Sequence, residues 1–184
     1  MSDRERAFRT FFDQEFRPLR RLAYVLTRDW TEAEDLTQDT MLRTYRAWGR
    51  IHGTSPAAYA RTTMLNQHRS RLRRAKVEAK YAFARRTPTE VTEDRDDRLL
   101  VLDALQALPP LERAIIALRY LEDRPIEDVA ALVDVPVGTV KSASHRAIRR
   151  LRERLGSTLA ELLGEGITDG DERREEEEEE EVTP

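Results

Sequence analysis

Residues 125–151 read PIEDVAALVDVPVGTVKSASHRAIRRL, and their pattern decides the fold. Ile126, Val129, Ala130 and Val133 recur at helical spacing. Asp134-Val135-Pro136 then interrupts the pattern, because proline cannot extend the first helix and disfavours α geometry in the residue before it. A second helix follows, in which Val137, Val140, Ala147, Ile148 and Leu151 are available to face a partner. Lys141, Ser142, His145, Arg146 and Arg149 fall together on the opposite face. A helix carrying that face fits the DNA major groove and brings donors for base edges and phosphates. The same pattern also suits a plain αα-hairpin whose basic face is merely solvated, since such signatures arise by chance.

Composition extends the helical reading to the whole chain. The 184 residues are 39% hydrophobic with only 7 Gly and 8 Pro, and Ala, Leu, Arg and Glu abound, so the expected fold is all-α with one or two small cores. No apolar run spans a bilayer and the first residues, MSDRERAF, lack a signal-peptide core, so a cytoplasmic protein without a membrane partner is expected. The absence of cysteine excludes disulfides, thiolate metal sites and cysteine nucleophiles. His52, His68 and His145 are too scattered for a ligand set, and no metal or cofactor is expected. The net charge of −3 hides a strong asymmetry: from Glu165 onward the chain carries −9, leaving +6 on residues 1–164. Arginines outnumber lysines 29 to 3, which suits guanine and phosphate recognition.

Working outward from the opening stretch, two helical blocks emerge. In residues 1–86, Phe8, Phe11, Phe12 and Phe16 open an apolar-faced helix that Leu19, Leu22, Ala23 and Leu26 continue past Pro18. Thr31-Glu32-Ala33-Glu34 has a capping-box pattern and predicts a helix to about Trp48. Ile51 to Ser55 reads as a loop, and Ser55-Pro56 as the cap and first turn of a long helix to roughly Arg86. Residues 87–97, TPTEVTEDRDD, are polar and aperiodic, a flexible acidic linker by composition. In 98–156, Leu99, Leu102, Leu105 and Leu108 mark one helix, Pro109-Pro110 stops it, and Leu111 through Leu121 forms another before the opening stretch. Residues 157–184 read as a mostly disordered acidic tail.

The first block carries its own cationic stripe. Between Arg61 and Arg86 the net charge is +8, with Arg69 and Arg73 among the bases. Such a helix repels itself unless it is solvated or faces a polyanion. Tyr59, Asn66, Gln67 and His68 add stacking and hydrogen-bonding groups near its start, as surfaces that read separated bases do. A solvated helix with Tyr59 in the core fits the stripe equally well when it is taken alone.

Two segments resemble the extracytoplasmic-function (ECF) group of bacterial RNA polymerase sigma factors: AEDLTQDTMLRTYRAW (33–48) and LPPLERAIIALRYLEDRPIEDVAALVDVPVGTVKSASHRAIRRLRERL (108–155). The resemblance covers roughly residues 8–156. It implies a dissociable specificity subunit that is not itself an enzyme, with core RNA polymerase (its β′ clamp helices and β flap) and promoter DNA as partners and an anti-sigma factor as a candidate one. On it, Asp35, Gln38, Asp39, Leu42 and Arg46 are the expected polymerase-docking face, and an exposed Leu42 is what a merely solvated face would not explain. Tyr59 and Asn66, with Arg61, Arg69 and Arg73 on phosphates, are the expected contacts to the minus-ten element. Lys141, Ser142, His145, Arg146 and Arg149, with Arg119 on an earlier helix, are expected to read the minus-thirty-five element. Ala143 and Ser144 depart from the common pattern, which predicts looser packing of the second helix.

Two other classes compete. A helix-turn-helix repressor or activator acting without core polymerase would need a dimerisation surface and a ligand domain, neither of which is apparent. A hydrolase or nucleotide-binding enzyme lacks its Walker loop, G-x-S-x-G or ligand-spaced histidines. The run Glu175 to Glu181 is expected either to keep the chain soluble or to compete with DNA for the basic helices.

Overall fold

A computed structural model describes residues 3–51, 55–81 and 97–156, the side chains of 78–81 and 97–99 excepted. The centre of the expected 51–55 loop, nearly all of the 87–97 linker and the whole 157–184 tail lie outside these residues. Among the described residues every regular element is helical.

Helix α1 (Asp3–Thr27) runs straight through Pro18 and buries Phe11, Leu19, Leu22, Ala23, Val25 and Leu26. It ends where Arg28 turns left-handed at φ +59°. Helix α2 (Trp30–Ala47) begins earlier than the capping box suggested. Its cap is Asp29, whose carboxylate accepts from the Glu32 amide at 2.8 Å. Thr31 is therefore inside the helix, and Asp29 satisfies an orphan first-turn amide in its place. Thr37, Thr40 and Thr44 are buried in α2 because each hydroxyl donates to the carbonyl four residues back, at 2.7 to 2.9 Å. A 3-10 turn (Trp48–Arg50) follows. Helix α3 (Pro56–Tyr81) is capped as expected, the Ser55 hydroxyl accepting from the Ala58 amide at 3.0 Å.

The second block holds α4 (Asp97–Gln106), α5 (Pro110–Ile116) with a π turn (Ala117–Leu121), α6 (Ile126–Val133) and α7 (Val137–Leu155). Asp134, left-handed at φ +57°, makes the bend between α6 and α7. Ala143 and Ser144 are buried, as are Val140, Ala147, Ile148 and Leu151, so α7 is packed along one whole face. Against the looser packing predicted from Ala143 and Ser144, both side chains are buried in the bundle.

Each block is a helical bundle, α1–α2–α3 and α4–α7, and the two also pack against each other. One apolar cluster runs from Phe11, Leu22 and Leu36 in the first block to Ile115, Leu118, Val129 and Val140 in the second. A smaller one joins Ala104, Leu108, Ile116, Ala147, Ile148 and Leu151 within the second. Helix α1 meets α4 and α5, and α3 meets α6. The two predicted units are thus joined by a shared core as well as by the chain between them.

Candidate nucleic-acid interface

Polar contacts reinforce the seam between the blocks. Arg61 is 3% exposed and donates to Glu122 of the second block, to Glu15 of α1 at 2.9 Å and to the Ala57 carbonyl at 3.1 Å. Burial pulls its pKa down, but the two carboxylates outweigh that and leave it raised. Arg113 is the counterpart from the other side. It donates to the carbonyls of Leu26 (2.7 Å), Leu105, Gln106 and Leu108 and to the Gln106 side chain (2.6 Å), closing the ends of α1 and α4 together. Its pKa is lowered by burial. Arg69 donates across the seam to the Val133 carbonyl at 3.0 Å, at the last turn of α6. His68 is buried at the same seam, its Nε2 unpartnered, and burial with the nearby charges of Arg113 and Arg71 pushes its pKa down to about 4.

Arg61 is therefore not at a surface where it could meet a phosphate, contrary to the expectation from sequence. The cause is its place on α3: it faces α1 and the Glu122 turn, where two carboxylates make a pocket for a guanidinium. Nothing local in the sequence separates Arg61 from the exposed bases of the same helix. Arg113 and Glu112 were missed for a related reason: their partners lie on other elements or on backbone carbonyls.

The remaining candidates fall on three surfaces. On α2, Asp35, Gln38, Asp39 and Arg46 are exposed and Leu42 is 47% exposed, so these five form an open face with an apolar residue at its centre. Asp39 pairs with Arg71 of α3 at 2.7 Å, not with Arg43 in its own helix.

Between α2 and α3 lies a cavity of about 700 Å³, lined by Tyr59, Asn66, Gln67 and the arginines at 43, 46, 50, 71 and 74, with Asp39 as its one acid. Tyr59 is half-buried and Asn66 exposed, so the aromatic wall and the amide belong to the same hollow. Arg73 is exposed near it, donating to Ser70 at 3.2 Å. An open, cationic hollow with an aromatic wall has the groups to stack on a flat ring and to pair with phosphates.

On α7, Ser142, His145, Arg146 and Arg149 are exposed and Lys141 is half-exposed along one face, opposite the buried one. Buried Glu112 of α5 holds Arg146 at 3.3 Å and also pairs with Arg150. That carboxylate ties the basic face of α7 to the bundle. Arg119 lies in the π turn with its guanidinium over the Tyr120 ring.

Comparison with known proteins bears on these surfaces. Residues 11–77 match the family described as Sigma-70 region 2, and residues 98–151 match Sigma-70, region 4. The RNA polymerase sigma-E factor of Streptomyces coelicolor is 37% identical over 147 residues, covering 74% of this chain and 79% of that protein. The ECF RNA polymerase sigma factor SigM of Mycobacterium tuberculosis is 33% identical over 157 residues, 82% of this chain and 78% of that one. Among solved structures, the sigma factor RpoE of Bartonella quintana in complex with the anti-sigma factor NepR superposes with a TM-score of 0.70 at 27% identity, over 81% of this chain and 96% of that one.

Proposed function

From the premise that this chain belongs to the ECF RNA polymerase sigma factors and serves promoter-specific initiation with RNA polymerase, we propose how its surfaces divide that work. Helix α2 docks on core polymerase through Leu42, ringed by Asp35, Gln38, Asp39 and Arg46, and the β′ clamp helices are the basic, apolar-centred partner that such a face fits. Acid groups around an apolar centre set register and encounter rate more than affinity. The basic cavity between α2 and α3 takes the minus-ten element as it melts. Unstacking costs a few kcal/mol per base, so the hollow must return comparable binding energy, with Tyr59 and Asn66 on the base and Arg43, Arg50, Arg71 and Arg74, with Arg73 nearby, on phosphates. Helix α7 reads the minus-thirty-five element through Lys141, Ser142, His145, Arg146 and Arg149, with Arg119 of the π turn as a further contact and the β flap supporting the second block.

The observation that carries this reading is the pairing of an aromatic-walled cationic hollow in one block with an exposed basic recognition face in the other. The chain acts as a DNA-binding regulator in the cytoplasm, and an anti-sigma factor is a further partner. No helix among the described residues is long and apolar enough to cross a membrane. The test is co-elution of the purified chain with core polymerase. Leu42→Lys is expected to abolish co-elution while the thermal midpoint stays put. Binding of duplex by the chain alone, with no association to core polymerase, would instead place it among conventional repressors.

A further inference from the structure

A second hollow has no part in the reading above. It is a groove of about 650 Å³ at the seam between the blocks, lined almost wholly by apolar side chains, among them Trp30, Leu105, Ile116, Leu121, Leu151 and Leu155. Trp30 is 53% exposed and Leu121 49%, although Trp30 stacks on Tyr24. An open apolar trough of this kind marks a surface that something covers.

The position and content of the chain beyond the described part identify the occupant. Helix α7 ends in the groove, since Leu151 and Leu155 line it. Gly156 then adopts φ +54°, its amide still donating to the Arg152 carbonyl at 2.9 Å, so the backbone leaves the helix axis at the mouth of the groove. The next residues are Ser157-Thr158-Leu159-Ala160-Glu161-Leu162-Leu163. Their leucines stand at i, i+3 and i+4, the spacing that puts three apolar side chains on one stripe, with Glu161 off it. Only three residues lie between Leu155 and Leu159, four steps of chain with a reach of at most about 14 Å. A segment tethered that closely is present at an effective concentration of order millimolar, well above that of any separate chain. Arg21 also borders the groove, a cation for Glu161.

We propose that the groove is the seat of the chain's own residues 157–163, with Leu159, Leu162 and Leu163 filling it. The groove walls come from α1 and the start of α2 on one side and from α4, α5, the π turn and α7 on the other. The seated segment therefore bridges both blocks and braces their packing. It also denies this trough to any external apolar helix until it is displaced.

Fluorine NMR of the full chain carrying fluorotryptophan tests this, with the Trp30 signal assigned by Trp30→Phe. Covering an indole that is 53% exposed in the open groove should cut its solvent-induced shift by about half or more. The full chain and a chain truncated after Gly164 should share the protected signal. A chain truncated after Gly156, and the triple variant Leu159→Ser, Leu162→Ser, Leu163→Ser, should share the exposed one. Identical Trp30 signals in all four would overturn the proposal. The chain has no native cysteine, which allows a second measurement independent of those variants. Leu121→Cys with Leu162→Cys should close a disulfide within one chain on mild oxidation, at a rate independent of protein concentration. Crosslinked dimers would make a second copy the occupant, and no crosslink would leave the groove without this segment; either result refutes the proposal.

Discussion

Arg61 shows how much a single side chain can bear in this fold. A guanidinium at 3% exposure, held by Glu122 and Glu15, leaves two carboxylates stranded in a poorly solvated seam if it is removed. Breaking a buried pair from one side costs about 3–5 kcal/mol. Arg61→Met should therefore lower the thermal midpoint by about 10 °C. With Glu122→Gln added, the loss should be clearly less than the sum of the single losses, because the variants share one interaction. Additive losses in a double-mutant cycle would contradict the latch. His68 makes a pH-dependent prediction at the same seam. Its folded pKa of about 4 lies below the ordinary unfolded value, so the unfolded chain takes up the proton first. The stability that depends on a neutral imidazole is whole above pH ~6.5 and falls toward pH 4, by about 3 kcal/mol in all. Urea midpoints between pH 7 and pH 4.5 should fall more steeply for the native chain than for His68→Leu; parallel slopes would contradict it. Neither residue declared its role in the sequence. A base in a run of bases and a lone histidine gain their meaning from elements far along the chain.

At the scale of elements, local chemistry was legible and long-range pairing was not. The apolar repeat through Val133, the proline break and the basic face of α7 were all readable in residues 125–151, because periodicity and proline act within one or two turns. The start of α2 was misplaced by the Thr31 pattern, since Asp29 competes for the same role and its carboxylate is the stronger acceptor. Asp29→Ala should cost about 1 kcal/mol, and Thr31→Ala much less, in thermal melts; the reverse order would restore the Thr31 cap. The basic face of α7 was marked by its one-sided patterning, whereas the α2 face rested on the family resemblance; Leu42 and Arg149 are both exposed. Within α7, Arg149→Ala should weaken binding to a minus-thirty-five duplex by about 1–3 kcal/mol if it reads a base edge. It should relax preference at one position only, whereas a uniform loss across sequences would assign it to phosphate.

For the whole molecule, size sets the argument. A compact body of about 150 residues has a radius of gyration near 15 Å. Promoter elements centred about 25 base pairs apart are about 85 Å apart along B-DNA at 3.4 Å per step. A closed body of that size does not span both elements at once, which predicts that the seam of Arg61, Arg69 and Arg113 opens on core polymerase. Energy transfer between labels on α1 and α7 should be high in the free chain and fall when core polymerase is added. Unchanged transfer would mean that the closed form binds. The acidic run adds a second whole-chain effect. Truncation after Gly164 removes Glu175 to Glu181 and should tighten DNA binding at low salt, with the gain lost at high salt. Equal affinities across salt would assign the run to solubility alone. The packing of the blocks was not legible beforehand, because an aperiodic polar link permits association as readily as separation.

This chain tells core polymerase where to start. Core polymerase should be supplied with sheared genomic DNA, with and without the chain, and the 5′ ends of the transcripts sequenced. A discrete set of new starts that share two upstream motifs is expected, as is the loss of those starts with Leu42→Lys. Start sites that are the same whether or not the chain is present would contradict it.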